Sequence, residues 1–144
     1  MPVIRLVDVP ELAVIEPDGA TLVMRKAIGS RSRDPNFKMP LSTDSLSVTY
    51  IRILGRHRSI RCDESDRVMY IVEGDAIVKI GDEEPAHVHA ADFVLIPRGT
   101  PYEFKGNFTY LVMNSPAYRE GSDLHDDGYD GPPARGAENV SPNP

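Results

Sequence analysis

The chain has 144 residues, 40% of them apolar and 26% charged, with a formal net charge of −6. That length builds one hydrophobic core and not two, and the composition is that of a globular protein. The negative balance, with no basic run to offset it, excludes nucleic acid and an anionic membrane surface as bulk partners, and no apolar stretch is long enough to span a bilayer.

The start, Met1-Pro2-Val3-Ile4-Arg5-Leu6, lacks the charged head and long apolar run of a signal peptide, so a cytoplasmic protein is expected. Residues 2–7 and 20–25 read as short extended pieces, and residues 29–40 as a polar, basic loop. Residues 45–54 are rich in β-branched and aromatic side chains and stop at Gly55, which predicts a strand and a turn. His57, just after that turn, is expected at the surface, with a place at the mouth of a cavity as the alternative. The single Cys62 forms no internal disulfide and reads as a packing or surface cysteine.

Residues 68–72 form an apolar run closed by Glu73-Gly74-Asp75, and residues 76–80 alternate before Gly81-Asp82. This pair is expected to be a hairpin turning at Gly74. In His87-Val88-His89, alternation turns Val88 inward and both histidines outward. They read as surface histidines, an adventitious or interfacial metal site being the alternative. Residues 93–96 and 108–113 are further apolar runs, the first stopped by Pro97-Arg98-Gly99-Thr100-Pro101. Thirteen prolines and eleven glycines punctuate the chain, which short strands tolerate and helices do not. Strands spaced about eight to twelve residues apart predict a sandwich or barrel. After Tyr118, Gly, Pro, Asp and Asn dominate. A solvated tail is expected there, or else a segment folding over the barrel mouth. The chain thus divides into an N-terminal extended segment (1–40), a barrel (41–118) and a C-terminal tail (119–144).

Residues 55–106 resemble the cupin family. Gly55 and Gly74 stand at the two glycine positions of the first cupin motif, G-x5-H-x-H-x3-E-x6-G, and Val68-Met69-Tyr70-Ile71-Val72-Glu73-Gly74 looks like its strand. In the second motif, G-x5-P-x-G-x2-H-x3-N, Ala91 takes the opening glycine position, Pro97 and Gly99 match, and Gly106 replaces the closing Asn. The resemblance implies an all-β fold, a double-stranded β-helix or jelly-roll barrel. It also implies a homodimer, with the N-terminal segment a candidate for strand exchange.

The family's metal ligands do not carry over. By spacing, the two His positions fall on Arg61 and Asp63, the Glu position on Arg67, and the last His position on Tyr102. Two guanidinium groups cannot ligate a cation and repel it, so neither a metal nor any other cofactor is expected. Arg61, Asp63, Arg67 and Tyr102 are instead expected to converge as a catalytic group. Met69, Ile71 and Phe104, with Tyr50 or Arg52, would complete a largely apolar wall for a small, anionic ligand. The function expected is metal-independent acid–base chemistry on a small acidic or enolisable metabolite, by a lyase, isomerase or cyclase. The alternatives are a non-catalytic binding or sensing cupin and a metal enzyme with atypical ligands. A solvated charged loop at 63–67 and a structural Tyr102 are the plainer readings of the same residues.

Overall fold

Along residues 102–114 every second side chain is large and inward-facing: Tyr102, Phe104, Phe108, Tyr110, Val112 and Asn114, broken only by Gly106. Period-two alternation of this kind makes a strand with one face on a core. A computed structural model, which describes residues 2–16, 19–125 and 134–135, shows this stretch as one long strand. The elements in chain order are a short 3-10 turn (Leu6–Asp8), β1 (Leu12–Ile15), β2 (Thr21–Gly29), β3 (Leu41–Ser42), β4 (Ser47–Cys62), β5 (Asp66–Ile80), β6 (Ala86–His89), β7 (Phe93–Ile96), β8 (Tyr102–Ser115), β9 (Asp123–His125) and β10 (Ala134–Arg135). No helix among the described residues is long and apolar enough to cross a membrane.

The strands form one continuous sheet in the order β10-β1-β2-β4-β8-β5-β6, with β3 beside β2, β7 beside β5 and β9 beside β4. Nearly every pairing is antiparallel, the two-residue β2–β3 contact being parallel. The inner face holds a core built around Ile53, Met69, Ile71, Val78, Phe104 and Phe108. The N-terminal segment joins this sheet within its own chain: β1 pairs with β2, and β2 with β4.

Two expectations are corrected. The strand that starts near residue 47 does not end at Gly55 but runs on to Cys62. Nor do residues 68–80 form a hairpin, because β5 is a single fifteen-residue strand that pairs with β8 along its length. Gly74 is a bend in it, where the outer partner changes from β7 to β6. The strands come so close there that a Cβ on Gly74 would lie 2.3 Å from the Asn107 carbonyl oxygen, and its φ of 87° is one that side-chain-bearing residues avoid. The hairpin signal and the bend signal are the same residue type, and the sequence does not separate them.

Ala91 does stand where the family motif has glycine, and it adopts φ 73°. Its N–H is held by the Ile71 carbonyl at 2.8 Å, so the fold keeps the left-handed turn although an alanine there costs about 1–2 kcal/mol.

Candidate functional site

At one end of the sheet the inner face opens into a cavity of about 550 Å3. Apolar side chains from β1, β2 and β4, among them Leu12, Val14, Met24 and Ile51, make its wall. Residues 29–34 of the basic loop and residues 118–125 of the C-terminal segment form the rim. The two rim segments are tied together, since Ser32 Oγ donates to Glu120 Oε1 at 2.6 Å and the Arg33 amide does so at 3.2 Å. The described part of the C-terminal segment is therefore packed over the barrel mouth.

Arg67 on β5 is the centre of the polar part. Its Nε donates to Asn114 Oδ1 at 2.9 Å, its Nη2 to Asp123 Oδ1 at 3.0 Å, and its Nη1 to the Tyr102 hydroxyl oxygen. Arg67 is buried, which disfavours its charge, but the neighbouring Tyr102 oxygen and Asp123 carboxylate outweigh burial and push its pKa upward. Burial drives the Tyr102 hydroxyl up to about 12 against the opposing pull of Arg67, so it stays protonated at neutral pH. Because Tyr102 accepts from Arg67, its own proton is directed to another partner. The two side chains are also in cation–π range, with Arg67 Cζ 5.6 Å from the Tyr102 ring centroid.

A second polar group lies on the opposite strands. Glu16, the residue after β1, pairs with Arg58, Nε to Oε2 at 3.2 Å, and both are buried. His57 Nδ1 lies 2.8 Å from the Arg58 carbonyl oxygen. A carbonyl only accepts, so the proton sits on Nδ1 and the neutral ring offers its lone pair at Nε2, 3.7 Å from Glu16 Oε1. His57 also stacks on Phe104, their ring centroids 4.7 Å apart.

Burial lowers the His57 pKa from 6.5 to about 4. The unfolded chain therefore binds a proton at a pH where the folded chain does not. Stability is full above pH 6.5 and falls as pH drops from 6.5 towards 4, by about 3 kcal/mol in all. The unfolding free energy of the wild type minus that of His57→Gln is expected to fall by that amount between pH 7 and pH 4 in denaturant titrations. A difference that stays flat over this range would mean that His57 already carries its charge in the folded protein.

Arg67 and Tyr102 are brought together in the cavity as their spacing implies, whereas Arg61 and Asp63 are not. Those two pair with each other, Nε to Oδ1 at 2.9 Å, away from the cavity. The reason is a one-residue bulge in β4: His57 is opposite Phe104, but Ile60, not Ser59, is opposite Tyr102. Inward positions are Ile51, Ile53 and His57 before the bulge, and Ile60 and Cys62 after it. One extra residue reverses the facing of everything beyond it. Cys62 thus turns in rather than out and packs with its Sγ 3.9 Å from Ser122 Oγ.

Tyr50 and Arg52 both lie on the outward parity of β4 and neither lines the cavity; Thr49 and Ile51 do. Met69, Ile71 and Phe104 face inward as expected but are packed into the core beside the cavity. His57 is buried, not exposed, whereas Val88 faces in and His87 and His89 face out as alternation predicts.

His57 takes the place at the cavity that was its alternative reading, while Glu16, Arg58, Asn114, Asp123 and His125 are among the polar lining residues that the motif spacing does not reach. Asn114 had a signal, since it is the polar member that ends the inward series on β8. Its Oδ1 is taken by Arg67, while its Nδ2, like His125 Nδ1, is buried with no hydrogen-bond partner among the described residues. A buried polar atom left open in a cavity costs about 1–3 kcal/mol and is satisfied by a ligand or water.

The cupin resemblance brings with it the question of a divalent metal in the barrel, and these residues do not fit one. The Glu position carries a permanent cation, Arg67, whose three guanidinium nitrogens all bind side chains of the chain itself. The inward places on β4 beyond the bulge belong to Ile60 and Cys62. Among the described residues the one cluster of His, Cys, Asp or Glu close enough to share an ion is Asp75, His87 and His89, on the exterior.

This architecture, a jelly-roll barrel with a cavity at one end, is the cupin fold. A variant of the Streptomyces nucleoside dehydratase PAC13 with uridine matches it with a TM-score of 0.65 and 17% identity, over 87% of this chain and 91% of the other. Oxalate decarboxylase of Bacillus subtilis matches with a TM-score of 0.63 and 17% identity, over 85% of this chain and 32% of that one. The DMSP lyase DddQ of Ruegeria pomeroyi follows at 0.61 and 18%, over 73% and 51%. No protein-family model matches the sequence, and no curated protein is similar enough in sequence to count as a relative. At these identities the likeness speaks for the fold alone.

Proposed function

We propose that the chain is a metal-independent cupin lyase that moves protons on a small acidic or enolisable metabolite. The observation that carries this reading is one cavity lined both by a neutral imidazole, His57, and by a protonated phenol held against a guanidinium, Tyr102 on Arg67. His57 Nε2 takes a proton from carbon or oxygen, and Glu16 beside it favours the imidazolium that results. Tyr102 gives a proton to the leaving group or to the developing oxyanion, and Arg67 holds the charge that builds there. The open Nδ2 of Asn114 offers a further donor to a substrate oxygen.

Each buried arginine already has a carboxylate, Arg67 with Asp123 and Arg58 with Glu16. An anionic ground state is therefore not demanded by charge balance, and the cavity favours a substrate whose negative charge develops during the reaction. The cupins whose fold it shares include a nucleoside dehydratase, a DMSP lyase and an oxalate decarboxylase, so lyase chemistry is at home on this scaffold.

The same internal pairing of Arg67 favours a second reading, a cupin that binds its ligand without transforming it. One experiment separates the two. Chelator-treated, untagged protein is incubated in heavy water with small hydroxy acids, keto acids and nucleosides, and NMR follows exchange of their acidic C–H protons. The expected result is exchange on one compound class that survives chelation and is lost in His57→Gln. Binding without exchange or turnover would establish the binding cupin instead, and exchange that needs added metal would overturn the metal-independent mechanism.

A further inference from the structure

On the outer face of the sheet, far from the parity that lines the cavity, β6 ends the strand order. Its register places His89 directly opposite Asp75 and His87 opposite Ile77. Alternation sends Ala76 and Val88 into the core, and Asp75, His87 and His89 together to the outside. His89 Nδ1 lies 2.6 Å from Asp75 Oδ1, His87 Nε2 lies 4.0 Å from the same oxygen, and the two imidazole centroids are 4.4 Å apart.

We infer that Asp75, His87 and His89 form an exterior binding site for a divalent transition cation, with Zn2+ the ion of best fit. Metal–ligand bonds of about 2.0–2.1 Å in a tetrahedron set neighbouring ligand atoms about 3.3 Å apart, between the two distances that link Asp75 to the histidines. Small side-chain rotations suffice to reach that geometry. Two imidazoles and one carboxylate suit zinc and its neighbours, and not magnesium or calcium, which demand oxygen.

The backbone behind the site is held in place. The His89 amide donates to Asp92 Oδ2 at 2.7 Å, the Asp92 amide donates back to the His89 carbonyl at 3.1 Å, and Ala91 in the same turn is the residue at positive φ. Three protein ligands leave a fourth position open to water, the pattern of a reactive or exchangeable zinc site and not of a closed structural one. The site shares no residue with the cavity, so it is independent of the proposed function.

The test uses untagged, full-length protein stripped of metal and titrated with Co2+, whose visible absorption reports tetrahedral coordination, and with Zn2+ by calorimetry. The expected result is one equivalent per chain, with Zn2+ displacing Co2+. His87→Gln, His89→Gln and Asp75→Asn each weaken affinity about tenfold or more. His57→Gln leaves it unchanged. All three site residues are exposed, so these variants are expected to keep the metal-free melting temperature of the wild type. Affinity that is unchanged in the His87→Gln, His89→Gln double variant, or lost in His57→Gln, overturns the assignment. So does the absence of a saturable equivalent.

Discussion

Arg67→Ala is expected to lower the unfolding free energy by about 3–5 kcal/mol, the usual cost of removing one partner from a buried ion pair. For a chain of this length that is a fall in melting temperature of about 10–15 °C. The loss is large because three groups are stranded at once. Asp123 keeps a charge with no partner, Asn114 Oδ1 loses its donor, and the Tyr102 hydroxyl loses the Nη1 it accepts from. The side chain of Asp123 is 23% exposed, so water relieves part of the penalty and places the expected value towards the lower end. Adding Asp123→Asn to Arg67→Met, which keeps the volume, is expected to recover stability relative to Arg67→Met alone. A double-mutant cycle measured by thermal and urea unfolding reads that coupling. If Arg67→Met is as stable as the wild type without the second change, the Arg67–Asp123 pair contributes nothing and the hub is ornamental.

Tyr102→Phe is expected to reduce kcat by about a hundredfold to ten-thousandfold on the substrate identified by proton exchange, with KM little changed. The phenol is the group of the cavity that stays protonated at neutral pH while touching the cation that would hold the developing charge. Phenylalanine keeps the ring, its stacking on Phe104 at 5.8 Å and its packing, and removes only the proton donor. It also leaves Arg67 Nη1 without an acceptor, at a cost to stability of about 1–3 kcal/mol. Calorimetry on the same preparation separates that loss from the catalytic one. Turnover that survives at the wild-type rate would remove Tyr102 from the chemistry and leave it as a prop for Arg67.

Much of the scaffold is legible in the chain. Gly74, Pro97 and Gly99 carry the cupin spacing, and the alternation around Val88 sorts His87 and His89 to the outside. The pocket is legible only where strand phase is unbroken. Arg67 lies on β5 before its irregularity at residues 71–73, and Tyr102 opens β8, so counting from the motif finds both. Arg61 and Asp63 lie beyond the bulge in β4, where counting goes out of step by one. A bulge is a hydrogen-bonding event between two strands and leaves no distinct residue type behind. Asp123 and His125 were illegible for another reason: they come from a segment whose Gly, Pro and Asp content reads as loop. They reach the cavity only because β9 pairs with Ile60–Cys62 of β4. Glu16 has no signal of its own, because a carboxylate just after a short strand reads the same with or without a buried arginine beside it.

The two buried arginines draw their counter-charges from opposite ends of the chain, Arg58 from Glu16 just after β1 and Arg67 from Asp123, 56 residues further on. Neither carboxylate belongs to the central barrel stretch. A chain emerging from the ribosome thus holds Arg58 neutralised early, but carries Arg67 without its partner until β9 has been made. Closing the barrel around that cation beforehand is unfavourable, so docking of β9 and burial of charge become one cooperative event. The arginine works as a checkpoint for assembly: the cavity reaches its finished electrostatics only when both ends of the chain have arrived.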